Sequence, residues 1–161
     1  MKEINAEHIK VLLEFLGGCN YFGLLGLKVC EIKSGYCRVE ISLSEKHQNP
    51  FGGIHGGVYA SLIDCAAFWS VYCDLDEESG LVTLDLKVDY LAAIKGGKAV
   101  VEGKRIKTGR TVCLSEAIVT DGEGKLLAHG TSKQLVTQGL QSIKRSAAER
   151  GVILPSKFSL S

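Results

Sequence analysis

The sequence predicts an α+β fold, an antiparallel sheet of about six strands curled around one long helix. Three observations lead there. Residues 54–73 form an almost unbroken apolar run, too long for a strand and hydrophobic on nearly every side when wound as a helix. Six other segments carry the alternation or the β-branched content of strands. Short turn signals, Lys33-Ser34-Gly35 and Asp121-Gly122-Glu123-Gly124, join neighbouring segments as hairpins.

Taken in order, residues 5–16 set Ile9, Leu12, Leu13 and Leu16 on one face at helical spacing, with Asn5 placed to cap and Gly17-Gly18 to stop the helix. Residues 27–32 and 36–43 read as a strand pair. In the second, Tyr36, Arg38, Glu40 and Ser42 alternate with Cys37, Val39, Ile41 and Leu43. A polar, glycine-rich loop, residues 44–53, leads into the apolar helix. An acidic loop, residues 74–80, follows it. Four further strands are expected over residues 81–90, 98–107, 111–120 and 125–136. The polar remainder is expected to form a short helix over residues 142–150 or to fray. Residues 1–136 are thus expected to form one domain, with 137–161 as a tail that is partly helical or disordered.

Composition excludes several classes. A chain of 161 residues suits one core. Its 19 Lys and Arg against 18 Asp and Glu leave a net charge of +1, with no footprint for nucleic acid. The longest apolar run is too short to span a bilayer, and Asp64 interrupts it. The first residues lack the basic and apolar regions of a secretory signal, so a cytoplasmic location is expected. Cys30, Cys37, Cys65 and Cys113 lie in apolar runs, as buried reduced thiols do. Cys and His are scattered and no C-x-x-C pair occurs, so no metal site is expected.

The chemistry concentrates in His47-Gln48-Asn49-Pro50-Phe51-Gly52-Gly53-Ile54-His55-Gly56-Gly57 and in Asp64. Gly56 falls at a helix start, where a free N–H can donate to a developing oxyanion and the missing side chain admits a carbonyl. The glycines serve equally for a tight turn and close packing. Asp64 is a lone carboxylate in an apolar helix, costly to bury without a use. It can act as general base or nucleophile, or it can be tied to a backbone or hydroxyl partner. Asn49 can bind a carbonyl oxygen or water through its amide, or form an Asx turn. His55 can donate to a carbonyl or orient the loop. Thr83 can position water or be an ordinary strand threonine. Asp64 follows Gly56 by eight residues, about 12 Å of rise at ~1.5 Å per residue. One straight helix cannot bring both to one reacting atom; two antiparallel copies can. The spacing therefore predicts a site shared between two subunits. The apolar helix, needing cover beyond one sheet, is expected to find it in the second subunit.

Asn49, His55-Gly56-Gly57 and Asp64, at these offsets, resemble the PaaI-like branch of the hotdog-fold acyl-CoA thioesterases. The resemblance runs from about Gly23 to Val136 and takes in Thr83–Leu91, Lys107-Thr108-Gly109-Arg110-Thr111 and the segment from Gly124 to Thr131. It implies a hotdog fold and an edge-to-edge dimer that often pairs again into a tetramer. It implies acyl-CoA hydrolysis with no metal and no bound cofactor, coenzyme A being part of the substrate. By position, the Gly56 N–H would hold the thioester carbonyl with Asn49 beside it. Asp64 would come from the facing subunit, and Thr83 would stand near the attacking water. Pro50 and Gly53 depart from the pattern in the loop, and Tyr59, Phe68 and Trp69 are expected to shorten the acyl pocket or pack in the core.

Arg110, with Lys107 and Lys104 behind it, is the candidate holder of the CoA phosphates, since Arg matches phosphate with a two-pronged donor set. Two alternatives stay open. One is a non-catalytic acyl-CoA-binding module, which gives Asp64 little reason to exist. The other is a hotdog hydratase or dehydratase, whose loop pattern is absent.

Overall fold

The computed structural model describes residues 3–159. Helix α1 spans Ala6–Gly17, and Asn5 Oδ1 caps it by accepting from the Glu7 N–H. A short helix, α2, follows over Asn20–Leu25. The expected strands then appear as β1 (Leu27–Lys33), β2 (Tyr36–Leu43), β3 (Ser79–Tyr90), β4 (Gly97–Lys107), β5 (Val112–Asp121) and β6 (Leu126–Gln138). They form one antiparallel sheet in the order β1-β2-β4-β5-β6-β3 around helix α3 (Gly56–Ser70). This is the hotdog arrangement.

The sheet curls far enough that every strand touches α3. Leu62, Ile63, Ala66 and Ala67 are fully buried against it. Close approach is built in at Gly103 on β4, where any Cβ would fall 2.1 Å from the Ala66 carbonyl oxygen. This corrects one expectation. The apolar character of α3 is satisfied by its own curled sheet, so it does not by itself call for a second subunit. What stays partly open is the start of the helix at Gly56 and Gly57 and a stripe through Ala60, Ser61, Asp64 and Phe68.

Helix α3 stops at Ser70, short of the expected residue 73, and gives way to a 3₁₀ turn over Tyr72–Asp74. The carbonyls freed there, those of Tyr72 and Leu75, accept from Nζ of the buried Lys157, the second at 2.7 Å. Burial pulls the Lys157 ammonium down to about 8. His8 of α1 donates from Nδ1 to the Pro155 carbonyl at 2.7 Å, so its Nε2 accepts from the Tyr72 hydroxyl at 2.7 Å. The C-terminal segment is therefore stitched to α1 and to the end of α3. Of the two outcomes expected for it, helix or fraying, the chain adopts a helix, α4 (Ile143–Ala148), with Ala147 and Leu154 in the core. Cys37, Cys65 and Cys113 are buried as expected, while Cys30 is half-exposed because it faces outward on the edge strand β1.

Candidate active site

Two groups of functional residues form at different places along α3. The first is the loop before it. The turn at Asn49–Gly52 closes with the Gly52 N–H donating to the Asn49 carbonyl at 3.0 Å, and Pro50 takes the position a fixed φ favours. Gly52 has φ +80°, which a glycine adopts freely. Asn49 Oδ1 accepts from the Phe51 N–H at 2.9 Å and the Gly53 N–H at 3.3 Å. The Asx turn is thus real, and it commits the oxygen of the amide to the loop. The Nδ2 donors are what Asn49 can offer a ligand.

His55 caps α3: its Nδ1 accepts from the Gly57 N–H at 2.8 Å. In the neutral ring the proton then sits on the exposed Nε2. The Val58 N–H donates to the His55 carbonyl at 2.9 Å. Among the described residues this leaves the Gly56 N–H as the first-turn donor with no acceptor. Tyr90, at the end of β3, closes over it. Its hydroxyl donates to the Gly56 carbonyl at 3.1 Å, and a Cβ at Gly56 would lie 3.0 Å from its ring. A side chain at residue 56 would have to push the Tyr90 ring aside. The strand alternation identifies Tyr90 only as a strand residue, and no local signal points to its place over the helix start. A cleft of about 330 Å³ opens there, lined by Gly56, Tyr59, Tyr90 and Leu91 among others. Tyr59 is buried and stands at the helix start, in the wall of this cleft rather than of the one beside Asp64.

The second group surrounds Asp64, two turns further along. The Thr83 hydroxyl donates to Asp64 Oδ1 at 3.0 Å. A bulge between Thr83 and Asp85 bends β3 at this point. Burial pushes the Asp64 carboxyl above its ordinary value, and the Thr83 hydrogen bond pulls it part of the way back. No cation pairs with it among the described residues. A cleft of about 560 Å³ opens beside it, walled by Tyr21, Phe22, Phe68, Trp69, Thr83 and Gln141 among others. Phe68 and Trp69 thus do line it. Sequence reasoning missed α2, which brings Tyr21 here to hydrogen-bond Ser61 at 2.7 Å.

The structure brings Thr83 to Asp64, while Asn49 bonds within its own turn and lines neither cleft; Gly56 and Asp64 line separate clefts. Lys104, Lys107 and Arg110 join neither. Strand β4 passes Ala66 at Gly103 and ion-pairs with Asp74 through Arg105 at 2.8 Å, so the turn bearing Arg110 lies beyond the C-terminal end of α3. All three cations are exposed. Among the described residues no cluster of His, Cys, Asp or Glu is placed to hold a metal, and no helix is long and apolar enough to cross a membrane.

A profile of the thioesterase superfamily matches residues 51–128, the stretch that holds α3 and the catalytic candidates Gly56, Asp64 and Thr83. A Saccharolobus solfataricus protein described as a candidate esterase is 31% identical over 107 residues, 66% of this chain and 71% of that protein. Acyl-coenzyme A thioesterase 13 of the mouse is 30% identical over 93 residues, 56% of this chain and 66% of its own. Among solved structures, thioesterase HI1161 of Haemophilus influenzae superposes with a TM-score of 0.77 at 20% identity, covering 89% of this chain and 99% of that one. The chain belongs to the thioesterase superfamily and is a thioester hydrolase.

Proposed function

We infer that the protein hydrolyses acyl-CoA thioesters at sites composed of two chains, with the helix start from one and Asp64 from the other. The observation that carries this is the division of labour along α3. The unpaired Gly56 N–H and the Asp64 carboxylate, held by Thr83 at Oδ1 and matched by no cation among the described residues, are the two groups the reaction needs, and a single chain keeps them in separate clefts. The name of the mouse relative supports CoA as the thiol.

In this reading the thioester carbonyl oxygen takes the Gly56 N–H, aided by the helix dipole and the Asn49 Nδ2 donors. Water adds to the carbonyl carbon as Asp64 takes its proton. The tetrahedral intermediate then collapses, expelling the CoA thiolate, and Asp64 returns the proton to give thiol and free acid. Thr83 fixes Asp64 Oδ1 and leaves Oδ2 for the water. His55 acts by holding the helix start open rather than by touching the substrate. A base role suits a carboxyl raised by burial. No metal or bound cofactor enters this chemistry. The six unpaired cysteines suit a reducing, cytoplasmic setting.

The second chain has a place to dock. Strand β3 is one of the sheet's two edges, bridged at Gly80 by Ser142 and with no other bridge on that side among the described residues, and Leu84 and Tyr90 on it are 54% and 56% exposed. An unpaired edge strand offers its backbone N–H and C=O groups for pairing. Pairing two β3 strands antiparallel extends the sheet and runs the two α3 helices past each other, and such dimers can pair again. The PaaI-like resemblance favours the same assembly.

The direct test is thiol release from a panel of acyl-CoAs, with the matching acyl-pantetheine thioesters alongside. Arg110 lines neither cleft of its own chain, so it serves CoA only if the assembled dimer brings it to the phosphates; Arg110→Ala should then raise KM for acyl-CoA with little change in kcat, the pattern of lost uniform binding. It should barely affect acyl-pantetheine, which lacks the nucleotide. Equal losses on both substrates, or none, remove Arg110 from the binding site.

Thr83→Val tests the base. The Thr83 hydrogen bond favours the ionised carboxylate, so losing it raises the Asp64 pKa further. A base is active above its pKa and fails as pH falls through it. The acid limb of the kcat/KM profile should therefore move to higher pH in Thr83→Val. A limb that stays put, or moves down, removes Thr83 from contact with the base.

A further inference from the structure

We propose that Gln141, in the C-terminal segment, is a specificity residue that closes the back of the acyl pocket and sets the longest acyl chain accepted. The proposal rests on the reading of Asp64 as the centre of an acyl-CoA hydrolase.

Behind the Asp64 cleft lies a second one of about 320 Å³, lined by Phe68, Trp69, Tyr72, Leu81, Gln141, Ile143 and other residues. The two clefts share Phe68, Trp69 and Gln141. These three residues therefore stand where the two clefts meet, Gln141 at the exposed side of the junction. Two are locked by aromatic packing. Phe68 and Trp69 meet edge-on at 5.2 Å, and Trp69 meets Tyr72 at 5.4 Å. Gln141 is the remaining element, and it comes from outside the stretch that matches the superfamily.

The backbone holds Gln141 there deliberately. It is the one non-glycine residue among those described with a positive φ, +54°, a conformation that persists only where the surroundings enforce it. The enforcement is visible on both sides. The Thr137 hydroxyl donates to the Leu140 carbonyl, and Ser142 bridges to Gly80 on β3. Gly80 leaves the space for this crossing, since a Cβ there would collide with the Leu140 carbonyl oxygen. Further on, Lys157 and His8 anchor the segment to the core. The rear cleft is walled mainly by Phe68, Trp69, Leu81 and Ile143, which suits hydrocarbon. An acyl chain that passes Asp64 meets Gln141. A compact acyl group stops short of it, whereas a long one must displace it.

Gln141→Gly is the test, because glycine adopts this φ freely and the fold loses nothing. Wild type and variant are assayed for kcat/KM on butanoyl-, octanoyl- and dodecanoyl-CoA. The ratio of dodecanoyl to butanoyl activity should rise by about tenfold or more, since a few methylenes gained in an apolar pocket are worth that much. Butanoyl-CoA, the shortest of the three, is the reference against which each variant's longer-chain activity is read. Adding Ser146→Phe, which fills the rear cleft from α4, should return the ratio to the wild-type value. An unchanged ratio in a Gln141→Gly protein that still hydrolyses butanoyl-CoA overturns the role of Gln141 and leaves the hydrolase reading standing. A wild type inactive on every acyl-CoA overturns both.

Discussion

Asp64→Asn should fold at least as well as the parent and lose roughly 10²-fold or more in kcat, the usual cost of removing a general base. The amide keeps the size of the carboxylate and still accepts from Thr83, so the cleft beside it keeps its shape. What it loses is the proton acceptor. The stability side has a definite sign. Burial raises the Asp64 pKa in the folded state, so between the unfolded and folded values the folded chain binds more protons. The fold therefore loses stability as pH rises through that window, and the cost is fully present above the folded value. A neutral amide removes it. The melting temperature of Asp64→Asn at pH 7 should match or exceed that of wild type while activity collapses. That pairing separates a chemical defect from a folding defect. Near wild-type turnover in the folded variant would sink the assignment of Asp64.

Mixing two inactive chains should recover activity. Asn49→Ala loses the amide that shapes the loop through Phe51 and Gly53, and with it the seat of the carbonyl. Asp64→Asn loses the base. If each site takes its loop from one chain and its carboxylate from the other, a heterodimer of the two variants holds one site with both defects and one with neither. Purified heterodimers, isolated through two different affinity tags, should show about half the wild-type activity per dimer, since one of two sites is intact. If each site were built within one chain, every site would carry a defect and the heterodimer would stay inactive.

The residues that patterned the chain locally were the readable ones. The alternation in residues 36–43 places β2 because one face of that strand is core and the other is open, and the Val39 and Ile41 side is buried as the pattern requires. The long helix is readable from composition alone, but its cap is not: the run begins at residue 54, whereas the helix begins at Gly56 with His55 as its cap. Nor is its end, because Ser70 is followed by a turn whose carbonyls are taken by Lys157, far along the chain. The same long-range contact hides the order of the C-terminal segment, whose polar sequence gives no sign that a lysine becomes buried. Helix α2 escapes notice because six residues flanked by glycines carry no periodicity. In the candidate site, Asn49, Gly56 and Asp64 announce themselves through residue type in an unusual setting, whereas Thr83 is an ordinary strand threonine by type and is marked only by the resemblance. Tyr90, Tyr21 and Gln141 do not announce themselves, since each is ordinary in its own segment and reaches the clefts only through tertiary packing. The double role of Asn49 follows the same division: its type marks the loop, but only the fold shows that its oxygen is already committed.

The shared site is tested most directly by measuring mass and activity on the same sample. Wild-type protein is diluted through a series, its mass read by light scattering after size exclusion and its thiol release from acyl-CoA assayed in the same fractions. Activity should follow the dimer or larger assembly and vanish in fractions that have dissociated to 17.3 kDa. A monomer that hydrolyses acyl-CoA at the full specific activity would contradict the account, because within one chain the Gly56 N–H and the Asp64 carboxylate serve different clefts.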